Sequence, residues 1–229
     1  MRLRTKAKSL LPLRTLRRVR EAHRRHVFRR AMRRFQRSPE ICLQPGNSIF
    51  RDLIYGWGND SWSASDDFLA ACIRHALHVD GPILECGSGL STILVGHIAN
   101  QRGVDHWALE HSTIWAMKTQ SCLDEFNIDS VSLCVKPLAD YSNYSWYDPP
   151  LESMPERFAL VICDGPPGNT RGGRSGLVSM SDRLKTGSVI LLDDAEREIT
   201  ESWISKLNAS SEFFDCDNSY IKLQIRAAM

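Results

Sequence analysis

From about residue 65 onward, short apolar runs alternate with segments of helical period, and this alternation restricts the chain to a small set of folds. The helical stretch SDDFLAACIRHALHV precedes the strand-like PILEC; a helix from Ser91 precedes HWALE; STIWAMKTQSCLDEF precedes SVSLCV. FALVICD and SVILLDD follow, with a helix expected over SGLVSMSDRLK between them, and a helix over ITESWISKL and strands near EFFDC and YIKLQIR complete the run. Apolar strands joined by helices imply a mostly parallel sheet covered on both faces. In such sheets a ligand binds beyond the carboxyl ends of the strands, near the point where the strand order reverses.

Those ends are acidic. Glu85 closes the first strand, Glu110 the second, Asp164 the fourth, and Asp193 with Asp194 the fifth. One such residue is accounted for by a helix cap or a solvated turn. Recurrence at the same end of successive strands points instead to a site. The first of these ends lies in ILECGSGLST, residues 83–92, where a strand runs into a glycine turn that lets a ligand approach the backbone closely. A dinucleotide fingerprint G-x-G-x-x-G begun at Gly87 would place its third glycine on Thr92, so that pattern fails. Glu85 would repel a pyrophosphate but suits a ligand bearing an amine. Glu110, 25 residues further on, is placed to accept both hydroxyls of a ribose. A ribose carrying a cationic, phosphate-free arm describes S-adenosylmethionine better than NAD.

On these residues the chain resembles the class I S-adenosylmethionine-dependent methyltransferases over about residues 55–229. ECGSGLS is similar to their first motif, LEHS to the second, ICDGPPG to the turn after the fourth strand and GSVILLDD to the fifth strand. The likeness extends, more loosely, to bacterial small-molecule or glycan-associated members. It implies a Rossmann-like, doubly wound α/β fold: a mostly parallel seven-stranded sheet, its last strand antiparallel, with helices on both faces. It also implies a cofactor site drawn from Glu85, Gly87, Ser88, Gly89, Ser91, Glu110, His111 and Asp164. Ser91 stands where the family pattern has its third glycine, and a serine there can cap the following helix.

Family members that methylate amines carry a D/N-P-P-aromatic turn after the fourth strand. Here that strand runs into Asp164-Gly165-Pro166-Pro167-Gly168, without the aromatic, which favours oxygen methylation. Arg171 and Arg174 in the following loop are candidates to hold a carboxylate or phosphate of the substrate. Asp164, Asp193 and Asp194 also resemble the acidic set of catechol O-methyltransferases, which implies Mg²⁺ at these three residues. Pro167 replaces the lysine of that subfamily, so Asp164 and Asp193 become the candidate catalytic bases. Trp57, Trp62, Trp146 and Tyr147 flank the cofactor mouth in sequence.

The net charge of +2 conceals a split. Residues 1–37 hold 15 Lys or Arg and one acid, whereas the other 192 residues hold 14 basic and 26 acidic ones. Leu13, Leu16, Val19, His23, Val27, Ala31 and Phe35 recur at helical intervals among the arginines, giving a basic amphipathic helix. The division expected is a basic N-terminal extension and linker over 1–45 and a methyltransferase domain over 46–229. Such a helix suits an anionic membrane surface or acts as a solvated arm; nucleic acid ranks lower. No apolar run approaches the roughly 18 residues of a membrane span. Seven scattered cysteines without C-x-x-C spacing argue against a zinc site or a disulfide framework and for a cytoplasmic location, peripheral at an inner membrane face if the helix binds there. The function expected is S-adenosylmethionine-dependent O-methylation of a small molecule or glycan precursor. The alternatives are an RNA methyltransferase gripping phosphates with its tail, and a non-catalytic membrane-associated module that retains the fold.

Overall fold

The computed structural model describes residues 13–59, 64–194, 206–214 and 220–226. Seven strands form the main sheet: β1 (Ile83–Cys86), β2 (His106–Glu110), β3 (Val131–Val135), β6 (Phe158–Cys163), β7 (Leu184–Asp193), β8 (Ala209–Phe214) and β9 (Tyr220–Ile225). A separate hairpin pairs β4 (Ala139–Tyr141) with β5 (Tyr144–Trp146). The sheet order is β3-β2-β1-β6-β7-β9-β8, with β9 antiparallel to both of its neighbours and all other pairs parallel. The chain winds outward from β1 to β3, then crosses to β6 on the other side of β1. The reversal therefore falls between β1 and β6, whose ends lead into Gly87 and Asp164.

Alternation along each strand divides the core. Ile83, Leu160, Ile162 and Leu191 face one side, which is covered by helices. These are α1 (Leu13–Arg37), α2 (Ser48–Trp57), α3 (Asp66–Ala76), α4 (Leu90–Arg102) and α5 (Thr113–Glu125). Leu84, Val161, Ile190 and Leu192 face the other side, against Trp146, Tyr147, Met154, Leu177 and Met180. The helix expected over SGLVSMSDRLK is a 3-10 run, Ser175–Arg183, and Leu184 already belongs to β7. Gly176 lets it pack closely on its neighbour: a Cβ there would lie 2.3 Å from the Trp146 ring. The expected helix over ITESWISKL falls almost wholly outside the described residues, as does Trp62.

Helix α2 was not expected from the sequence. Asn47 caps it by accepting from the Ile49 amide at 3.1 Å, and Gly58 in the left-handed region ends it. It carries α1: Phe28, Ala31, Met32 and Phe35 are buried in the same core as α2 to α5. Phe28 meets Trp57 and Phe126 with ring centroids 5.9 Å apart in each case, and Arg29 pairs with Glu125. Gln36 donates to the Phe126 carbonyl at 3.2 Å. The packing thus draws the second half of the basic segment into the core, while Val19, one of its periodic apolar positions, stays exposed. Among the described residues no helix is long and apolar enough to cross a membrane.

Candidate active site

The turns after β1 and β6 meet at the backbone. Gly87 has φ +94°, and a Cβ there would lie 3.0 Å from the Gly165 nitrogen, so glycine satisfies both the conformation and the contact. The amides of Asp164 and Gly165 both donate to the Cys86 carbonyl, at 3.1 and 2.7 Å. Beside this junction opens a cleft of about 540 Å³, lined on the β1–β2 side by Gly87, Ser88, Glu110, His111 and Trp115. Asp164, Pro167, Arg174, Asp193 and Asp194 line the opposite side, and Tyr147 also contributes.

Glu110 is buried and fully engaged. One carboxylate oxygen accepts from the His111 and Ser112 amides, both at 2.8 Å. The other accepts from the Ser88 amide at 3.1 Å and the Ser88 hydroxyl at 2.8 Å. Four hydrogen bonds fill its acceptor capacity. The exchangeable one is the Ser88 hydroxyl, which has a second partner 3.3 Å away in Thr119 Oγ1. If that hydroxyl turns to Thr119, Glu110 gains a free lone pair facing the cleft. Trp115 forms a wall and donates from its indole to the Ser88 carbonyl at 2.6 Å, which fixes the glycine turn. Behind it the Lys118 ammonium lies between the Trp57 and Trp115 rings, at 4.0 and 4.3 Å, and burial pulls its pKa down to about 8.

Glu85 and Ser91, expected at the cofactor, are not among the residues lining this cleft. Glu85 is wholly buried on the helical face, where it accepts from the Ser91 hydroxyl at 2.5 Å and pairs with His106 at 3.0 Å. Ser91 therefore ties α4 to β1 rather than capping the helix; Thr92 accepts from the Gly89 amide at 2.8 Å. Gly89 borders only a small adjoining recess, and a Cβ on it would meet nothing within 4 Å.

On the other side, adjacent strands bring Asp164, Asp193 and Asp194 together, as their positions after β6 and β7 suggested. What the sequence did not show is their counter-ion. Arg174 is only 3% exposed and donates to the backbone carbonyls of Asp193 and Asp164. Its guanidinium also lies 3.6 Å from the Asp164 carboxylate and 3.5 Å from that of Asp194. Arg174 thus neutralises the carboxylates from within, where a substrate-holding role was expected. Arg171 does not line the cleft; it pairs with Asp140 at 3.2 Å and donates to the Tyr141 carbonyl at 2.9 Å in the β4–β5 hairpin. No group of three or more His, Cys, Asp or Glu among the described residues is arranged to hold a metal ion. The expected Mg²⁺ does not fit this donor set, because a guanidinium sits where the cation's charge would be.

Burial, reinforced by the charge of Asp193, holds the Asp164 carboxyl well above the usual carboxylate range. Burial and the neighbouring Asp194 raise Asp193 to about 6. Each of the two carboxyls raises the cost of ionising this corner of the cleft, Asp164 more than Asp193. Asp193 is thus an ionised, poorly solvated acceptor near neutrality that lines the cleft.

This sheet order with β9 antiparallel, the glycine turn after β1 and the cleft at the reversal define the Rossmann-like fold of class I S-adenosylmethionine-dependent methyltransferases. Among solved structures, the chain resembles precorrin-6y C5,15-methyltransferase from Geobacter metallireducens, with TM-score 0.50 and 13% identity over 72% of this chain and 92% of that one. An O-methyltransferase from Bacillus cereus, in complex with SAH, gives TM-score 0.50 and 14% identity over 80% of this chain and 92% of that one. A 16S rRNA N2 methyltransferase from T. Thermophilus gives TM-score 0.50 and 14% identity, covering 69% of this chain and 42% of that one. No protein-family model and no curated protein matches the sequence.

Proposed function

We propose that the protein is an S-adenosylmethionine-dependent methyltransferase that methylates a hydroxyl of a small molecule or glycan precursor. The observation that carries the reading is the two-sided cleft. A buried carboxylate, Glu110, stands beside a glycine turn on one wall, and a proton-accepting carboxylate, Asp193, stands on the other. When bound, S-adenosylmethionine supplies an electrophilic methyl group. Glu110 would accept from the ribose once the Ser88 hydroxyl swings to Thr119, while Gly87 keeps the turn open and Trp115 provides an apolar wall. Asp193 takes the proton from the acceptor hydroxyl as the oxygen is methylated, and Arg174 holds the new charge balance. Much of the rate would come from alignment of acceptor and methyl group between the walls.

Oxygen rather than nitrogen is supported by the turn after β6. Pro167 and Gly168 line the cleft there, and that turn contributes no aromatic ring to clamp a planar amine. With both arginines engaged by the protein, the acceptor that suits these walls is a neutral, hydroxyl-bearing one rather than a strongly acidic one. The basic helix supports a cytoplasmic protein that works peripherally at an anionic inner membrane face. The test is incubation with methyl-labelled cofactor and a fractionated cell extract, with mass spectrometry of the product. Label on a hydroxyl of a small molecule or glycan is expected, with full activity in chelator and loss of activity in Asp193→Asn. Label in the RNA fraction would transfer the assignment to an RNA methyltransferase. Cofactor binding without transfer to any fraction would leave only a binding module.

A further inference from the structure

Helix α5, one face of which lines the cleft, carries on its other face an apolar pair with no partner among the described residues. Ser112 and Trp115, at the start of α5, turn into the cleft; Ile114 and Met117, on the opposite face of the same turn, are 82% and 68% exposed. An isolated exposed apolar side chain is ordinary, but two bulky ones a turn apart on a helix that lines a binding cleft are not. Helix α1 runs beside them. Arg29 pairs with Glu125, Phe28 packs on Phe126, and the charge of Arg24 is felt at Lys118, so α1 and α5 point the same way. The exposed N-terminal half of α1 and the first turn of α5 therefore lie at the same end of the pair.

Helix α1 contains eleven arginines and no lysine, and all but Arg24 are exposed. Its own bulky apolar residues from Phe28 to Phe35 are consumed by the core, leaving Val19, 58% exposed, as the large apolar side chain on its outer surface. The helix alone offers charge without an inserting face. The pair Ile114 and Met117 offers the inserting face without charge. We infer that these two features form one docking surface for an anionic phospholipid bilayer, the arginines lying on the headgroups and Ile114 with Met117 entering the acyl boundary. This deepens the methyltransferase reading, on which it rests only for the nature of the acceptor: the cleft mouth would open at the membrane surface, so the acceptor is a membrane-borne amphiphile whose hydroxylated head reaches the cleft. An RNA partner would use the arginines but would leave the apolar pair in water.

The experiment is flotation of the full chain with vesicles of phosphatidylcholine alone and of phosphatidylcholine with phosphatidylglycerol, at low and high salt. Enrichment on the anionic vesicles only is expected. Neutralisation at Arg18 or Arg25, as Arg18→Gln or Arg25→Gln, should weaken partitioning about fivefold per residue and make it less dependent on salt. Ile114→Asp and Met117→Asp should each weaken it about tenfold, including the part that survives high salt. S-adenosylhomocysteine affinity, measured by calorimetry on the same samples, should be unchanged in all four variants. No enrichment on anionic vesicles would overturn the inference, as would undiminished partitioning of Ile114→Asp and Met117→Asp or salt-sensitive RNA binding without vesicle binding. Failure of the native chain to bind the cofactor would sink the methyltransferase reading and leave the vesicle result standing.

Discussion

Replacing Glu110 by glutamine tests the cofactor wall most directly, because the shape is kept and one acceptor becomes a donor. If the new amide NH₂ faces Ser88, the serine hydroxyl can rotate to accept from it or turn to Thr119 Oγ1, but the Ser88 amide cannot; one buried donor is left unpaired. If it faces the other way, the His111 and Ser112 amides both lose their acceptor. The first orientation is therefore preferred, at a cost of about 1–3 kcal/mol for one unsatisfied buried group. For a chain of this size that lowers the melting temperature by about 2–4 °C per kcal/mol. In that orientation the ribose meets an amide donor where it had a charged acceptor, a loss of about 1 kcal/mol or more, or at least fivefold in Kd. Ser88→Ala removes the competing hydroxyl and should bind the cofactor at least as tightly as the native chain. Thermal unfolding and calorimetry with S-adenosylhomocysteine on both variants decide the matter. A Glu110→Gln protein that melts and binds like the native one would refute the reasoning, as would a Ser88→Ala protein that binds as poorly as Glu110→Gln.

Gly87→Ala forces a side chain into a φ of +94° and against the Gly165 backbone, so a loss of about 2 kcal/mol or more is expected in denaturant unfolding. Arg174→Met leaves a carboxylate cluster without its internal cation and should cost about 3–5 kcal/mol at pH 7. That loss should shrink at pH 5, where protonation relieves the cluster; equal loss at both would show that the carboxylates are not what Arg174 serves. Asp193 titrates near 6 in the folded chain against an ordinary 3.8, so its protonated form favours the fold below about pH 4. That contribution is lost as pH rises from about 4 to about 6 and is constant above; Asp193→Asn should flatten this segment of the stability curve. Methyl transfer should rise through the same upper range as Asp193 ionises, and a rate independent of pH there would exclude it as the base.

The strands that carry the site were readable because each is an apolar run that stops on an acid, and parallel pairing aligns such stops. That is how Glu110, Asp164 and Asp193 reach one cleft. Glu85 ends the same kind of strand, yet its side chain turns to the helical face and meets His106 on the neighbouring β2. Its orientation depends on strand parity, and a strand of four residues buried on both sides does not reveal parity through its pattern. Arg174 was hidden for a different reason. It follows two glycines in GNTRGGRSG, a context that reads as solvated, and the demand for a cation exists only once β6 and β7 are neighbours. The hairpin in ADYSNYSW alternates apolar and polar residues over only three positions on each side of Ser142-Asn143, too short a run to mark strands, and α2 is too short for its period to stand out from a loop, although Asn47 and Gly58 mark both of its ends.

The contact between Phe28 and α2 is so close that a Cβ on Gly56 would lie 2.6 Å from that of Phe28. Cutting the chain at its change of charge, after residue 37, would remove Phe28, Ala31, Met32 and Phe35 from the core and strip the cover from Trp57 and Phe126. Among the described residues before residue 20, Arg14, Arg17, Arg18 and Val19 are exposed and none is buried in the core. The boundary of charge and the boundary of cooperative folding do not coincide in this chain. Substitution in the described first turns of α1 therefore leaves the core untouched, and those turns can change partner while the folded body stays the same.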